Sequence, residues 1–145
     1  MIAVSVGAAP LADFLIQNGA DVNLQNETKQ TPLFYAANKG WTDLCALLLR
    51  NEAKLNVRDN QNQTALHRAC ARGNVAIIRL LLQQPNIKLD TEDRSGNTAL
   101  HIAIENGHGE IAVLLVEAGA DLDVENKDKQ KPLDLAEKNV KTHIQ

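Results

Sequence analysis

The residues able to do chemistry are few and scattered: four histidines and two cysteines in 145 residues. His67 and His101 each end a Thr-Ala-Leu-His run, and neither has a second ligand at metal spacing. His108 and His143 are isolated in the same sense. Cys45 and Cys70 form neither a disulfide framework nor a metal-spaced pair. Buried cysteine behaves as a small hydrophobe, so both are expected in the core. Carboxylates such as Asp121 and Asp123 fall in polar loops, where they are solvated. No phosphate loop, nucleophile elbow or zinc motif is present. The residues therefore point away from an enzyme, and no cofactor, metal or small-molecule substrate is expected.

Composition narrows the class further. Hydrophobic residues make up 44% and charged residues 23%, which describes a globular chain. Aromatics are only 3%, so a core must be built from Leu, Ile, Val and Ala. The net charge is -3, there is no basic block, and nucleic acid is not expected as a partner. No stretch approaches the ~18 apolar residues of a membrane span. The apolar start, Met1 to Gly7, carries no positive charge and does not read as a signal peptide. Together with the unpaired cysteines, this makes a cytoplasmic or nuclear setting the expectation.

The elements that must position these residues come from a repeat. Thr31-Pro32-Leu33-Phe34-Tyr35-Ala36 recurs at Thr64, at Thr98 and, in altered form, at Lys131, with steps of 33, 34 and 33 residues. Three other landmarks keep the same phase. They are a glycine (Gly7, Gly40, Gly73, Gly107), an apolar triplet (at Phe14, Leu47, Leu80, Leu114) and an apolar residue before Asn or Asp (Asn23, Asn56, Asp90, Asp123). The extra residue falls near Gln84-Pro85-Asn86.

Each landmark has a physical role. Thr31, Thr64 and Thr98 can cap a helix, and Pro32 suits the first helical position. The in-phase glycines can take the left-handed conformation that stops a helix. The triplets belong to a second helix behind the first, which Gly19 and Gly119 end where the pattern is intact. Polar stretches between units read as turns. At their tips only Gly96 is glycine; Lys29, Asn62 and Lys129 stand in its place and are strained if φ is positive there.

This pattern resembles the ankyrin-repeat family over nearly the whole chain. The resemblance implies an all-α solenoid of helix-turn-helix units joined by β-turn hairpins. One domain is expected over 1–145: a partial unit at 1–25, units at 26–58, 59–92 and 93–125, and a partial unit at 126–145. Such units cannot bury their apolar faces alone, so stability is a nearest-neighbour sum. The chain reads as cut at both ends, with apolar side chains exposed on the N-terminal face. At Lys131 the capping Thr is lost, which should cost about 1 kcal/mol; Asp134 replaces the signature His, and Glu137 replaces a small residue.

The family uses the signature His to tie adjacent hairpins, which gives His67 and His101 a structural role. It binds partner proteins with its turn tips and inner helices, which form a concave face. Transferred to positions without packing duties, this implies contacts at Glu27, Asn60, Gln61 and Arg94 on the tips. On the inner helices it implies Tyr35, Asn38, Lys39, Arg68, Arg72, Ile102, Glu105 and Asn106. Trp41 is either an exposed anchor or a cover for the neighbouring loop. Tyr and Arg are enriched at interface hot spots. Lys39, Arg58, Arg68 and Arg72 precede Glu92, Glu105 and Glu125, a charge gradient suited to a partner with acidic then basic patches.

Four stretches go beyond the generic pattern: Thr31 to Lys39, Ala65 to Asn74, Ser95 to His101, and Glu125 to Leu133. In this order they resemble the C-terminal half of the gankyrin family, chaperones of proteasome regulatory-particle assembly. That resemblance implies a proteasomal base ATPase as partner, held by its C-terminal domain. The alternative is a generic ankyrin adaptor in signalling, cytoskeletal or host-targeting complexes.

Overall fold

The computed structural model describes residues 19–136. The first partial unit up to residue 18, the apolar face expected there, Glu137 and His143 lie outside the described residues.

Among the described residues six helices alternate in pairs: α1 (Pro32–Lys39) with α2 (Thr42–Arg50), α3 (Ala65–Arg72) with α4 (Val75–Leu82), and α5 (Ala99–Glu105) with α6 (Gly109–Glu117). Residues 132–136 begin a further helix, and no strand occurs among the described residues. Within each pair the helices pack together; α1 packs on α3 and α3 on α5, while α2 packs on α4 and α4 on α6. The result is two layers, inner helices and outer helices, with one core running between them.

Small residues set the spacing of the inner layer. Ala36, Ala37, Ala69 and Ala103 are fully buried, which lets inner helices approach closely. Behind them Leu44, Leu48, Ile77, Ile78, Leu81, Ile111 and Leu115 of the outer helices fill the core. Cys45 and Cys70 are buried and free. Burial pushes the Cys45 thiol up to about 12 and raises Cys70 as well, so neither offers a thiolate near neutral pH.

The predicted caps form. The Thr31 hydroxyl accepts from the Phe34 N–H, and Pro32 takes the first helical turn. Gly40, Gly73 and Gly107 stop the inner helices with φ of 79°, 73° and 75°. At the fourth unit Lys131 indeed brings no capping hydroxyl, but Asp134 offsets part of the loss, because its carboxylate accepts the Lys131 N–H at 2.8 Å.

Each turn is closed by one side chain. The Oδ1 of Asn26, Asp59, Asp93 and Asn126 accepts two backbone N–H groups, two and four residues on. Neighbouring turns are then joined through backbone: Asn60 N–H to Thr28 O, Arg94 N–H to Gln61 O, and Lys127 N–H to Ser95 O, all at 3.0–3.1 Å. Lys29, Asn62 and Lys129 have positive φ at the tips, as does Gly96. Glu52 also has positive φ (65°), where Gly19 and Gly119 stand in other units.

A second ladder runs along the opposite loops. Asn23 Oδ1 accepts the Lys54 N–H, Asn56 the Lys88 N–H, and Asp90 the Asp121 N–H, each across one repeat. The recurring apolar-Asn/Asp landmark is thus a staple between units.

Candidate functional site

The histidines are spent on structure. His67 Nδ1 faces the Thr64 N–H at 3.1 Å and the Thr64 hydroxyl at 3.0 Å. The amide can only donate, so Nδ1 accepts and the proton sits on Nε2. Nε2 then donates to the Asn97 carbonyl of the next unit at 3.1 Å. His101 repeats the arrangement with Thr98 and with the Gln130 carbonyl at 2.9 Å. Burial lowers the pKa of His67, against smaller opposing effects from the Asn97 carbonyl and Asp93, and so favours the neutral ring.

The inner helices leave a different set of groups at the surface. Tyr35 and Trp41 are half-buried, their ring centroids 5.9 Å apart with planes tilted by 51°. Lys39 Nζ lies 5.6 Å from the Tyr35 ring centre, a cation–π distance. Trp41 therefore covers part of the inner-helix end rather than standing fully exposed. Its counterparts Asn74 and His108 reach back toward the preceding unit: a Cβ on Gly40 would meet Asn74 Nδ2 at 3.3 Å, and one on Gly73 would meet the His108 ring at 2.7 Å. Those two glycines are needed for close approach as well as for their φ.

Arg68 and Arg72, one helical turn apart on α3, converge on a single amide. Arg68 Nε donates to Asn38 Oδ1 at 2.9 Å, Arg72 Nε to the same oxygen at 3.4 Å, and Arg68 also donates to Gln63 Oε1 at 3.3 Å. Asn38 is thus not free of structural duty, contrary to the expectation from sequence. Ile102 departs further: it is only 7% exposed and belongs to the core, where its apolar side chain is kept from water. Glu105 and Asn106 are exposed, with Asn106 Nδ2 donating to the Ile102 carbonyl of its own helix. Glu27, Asn60, Gln61 and Arg94 are exposed on the tips, the last three with backbone committed to the ladder between turns.

Of the sequence candidates, Tyr35, Lys39, Trp41, Arg68 and Arg72 form one neighbourhood around the ends of α1 and α3. Glu105 and Asn106 sit one helix further along. Asn74 and Val75 border the same neighbourhood, lining a cleft with Lys39 and Arg72. Neither was singled out by the sequence pattern; Asn74 also caps α4, its Oδ1 accepting the Ile77 N–H.

Helix pairs stacked in two layers, tied by imidazole and hairpin ladders, define a solenoid repeat protein. A family model described as ankyrin repeats in three copies matches residues 1–93, 58–128 and 86–144. The chain belongs to the ankyrin-repeat family, whose repeats are protein-interaction modules. No curated protein matches the chain.

Proposed function

We propose that the chain binds a partner protein through its inner helices and turn tips, with Tyr35, Arg68 and Arg72 at the centre. The observation that carries this reading is the convergence of two guanidinium groups, an ammonium and two half-buried aromatic rings on one side of α1 and α3. Aromatic and Arg anchors of this kind dominate binding energy at interfaces. The tips Glu27, Asn60, Gln61 and Arg94, with Glu105 and Asn106, extend the surface along the stack. Two buried, free cysteines favour a cytoplasmic or nuclear setting.

The narrower reading is an assembly chaperone of the gankyrin type, with the C-terminal domain of a proteasomal base ATPase as partner. It rests on the four sequence stretches named above. Pull-down against the C-terminal domains of all base ATPases tests it: selective capture of one supports it, and equal or absent capture overturns it in favour of a generic adaptor. The broader reading is tested with the Tyr35→Ala, Arg68→Ala double variant. Loss of partner binding with helicity unchanged is the expected result; unchanged binding overturns it.

A further inference from the structure

We infer that the cleft between the ends of α1 and α3 is a docking site for an acidic peptide segment of a partner protein, with adjacent carboxylates held by Lys39 and Arg72. This deepens the reading of the inner-helix face as a protein-binding surface and rests on it.

The cleft has a volume of about 780 Å3 and is lined by Asn38, Lys39, Gly40, Arg72, Gly73, Asn74 and Val75. Its two charged groups are both cations. Among the described residues the ion pairs are Arg79–Glu110 and Lys131–Asp123, both elsewhere. No carboxylate of the described residues lies within 4.0 Å of Lys39, Arg68 or Arg72. In a chain of net charge -3, this is a local concentration of positive charge that no carboxylate of the described residues pairs with.

The way the charges are held matters as much as their number. Arg72 donates to Asn38 through Nε at 3.4 Å, a long bond that leaves the two terminal nitrogens of the guanidinium fork to a ligand. Arg68 shares the same oxygen, so a neutral amide orients two cations without cancelling either. A carboxylate matches such a fork in a bidentate manner. Lys39, held over the Tyr35 ring, can meet a second carboxylate, while the Tyr35–Trp41 pair offers an apolar wall to an intervening side chain.

The backbone argues for carboxylates over phosphate. The amides of Gly40 and Gly73 bond back to the last turns of α1 and α3, and those of Trp41 and Asn74 bond to Ala36 O and Ala69 O. These four turn amides are spent on helix ends, so they form no nest of the kind that cradles a phosphate. Recognition falls to Arg72 and Lys39, and it is sensitive to salt.

The test is a two-dimensional amide NMR titration of the full chain with the blocked peptide Glu-Glu-Leu-Glu-Glu. The controls are its Gln-for-Glu counterpart, inorganic phosphate and a short poly-thymidine strand. The expected result is shifts confined to residues 35, 38–41, 68 and 72–75, weakened by salt and absent with the Gln peptide. Lys39→Gln and Arg72→Gln should each weaken the acidic peptide by about two- to fivefold, as for exposed charge pairs, with the melting curve unchanged. Shifts elsewhere, equal shifts with the Gln peptide, or stronger binding of phosphate or the nucleic-acid strand would overturn the inference. A partner whose binding is lost in Tyr35→Ala, Arg68→Ala but kept in Lys39→Gln, Arg72→Gln would sink the cleft alone and leave the inner-helix face standing.

Discussion

The α1–α3 junction and the α3–α5 junction share a scaffold but are tied by different chemistry. Between α3 and α5 the tie is internal: buried His67 spans from Thr64 to the Asn97 carbonyl, and His108 closes over Gly73. Between α1 and α3 the signature His is Phe34, which has no ring nitrogen to donate. The Gln63 carbonyl, counterpart of Asn97, keeps the Asp59 N–H but receives no imidazole. The side-chain contact between these inner helices lies further out, with Arg68 and Arg72 donating to Asn38. Moving the tie from core to surface leaves guanidinium groups where a ligand can reach them. The sealed junction shows Ile102 buried where the open one shows Arg68 half-exposed.

The largest expected effect comes from breaking both junctions at once. Leu66 is 1% exposed on α3, which both share. Leu66→Ala should lose about 2–5 kcal/mol in a urea melt, with helicity lost across the whole stack. Next comes the conversion of the sealed junction toward the open one. His67→Phe strands the buried Thr64 N–H and removes the donor to Asn97, and should cost about 1–3 kcal/mol by the same melt.

Acid should separate the junctions further. The folded pKa of His67 lies below the ordinary 6.5, so between the two values the unfolded chain binds more protons. His67 thus opposes folding progressively as pH falls below about 6.5, and its full contribution is present above it. Stability measured from pH 7.5 to 5 should decline, and His67→Phe should flatten the part due to this ring.

Backbone strain is smaller still. Lys29→Gly and Glu52→Gly relieve positive φ and should each gain about 0.5–1 kcal/mol in thermal melts. Gly96→Ala should destabilise, since its Cβ would meet the Lys127 nitrogen at 2.9 Å. The smallest effect is Arg72→Gln, within about 0.5 kcal/mol of the parent, because an exposed side chain held by one long hydrogen bond contributes little.

The fold was legible because four landmarks in phase leave one packing solution, and the Thr, Pro and Gly signals each act within a turn of the chain. The ties of His67 and His101 came from family resemblance, and the staples of Asn23, Asn56 and Asp90 were visible only as an unexplained repeat. The site was less legible. Periodicity puts residues on a face but does not say which are used: Ile102 is apolar and packs inward, whereas Arg68 at the matching place cannot be buried without a partner and stays near the surface. That Asn38 gathers two guanidinium groups depends on rotamers across a junction, which spacing alone does not encode. Glu52 escaped notice because glutamate has no preference of its own for the left-handed φ that it adopts.

The central claim is that the inner layer grips and the outer layer only supports. Hydrogen exchange of the chain, free and with its captured partner, tests this directly. Slowed exchange at residues 26–41 and 60–73, with the outer helices α2, α4 and α6 unchanged, is the predicted footprint. Slowing centred on α4 and α6, around Arg79 and Val113, would contradict it.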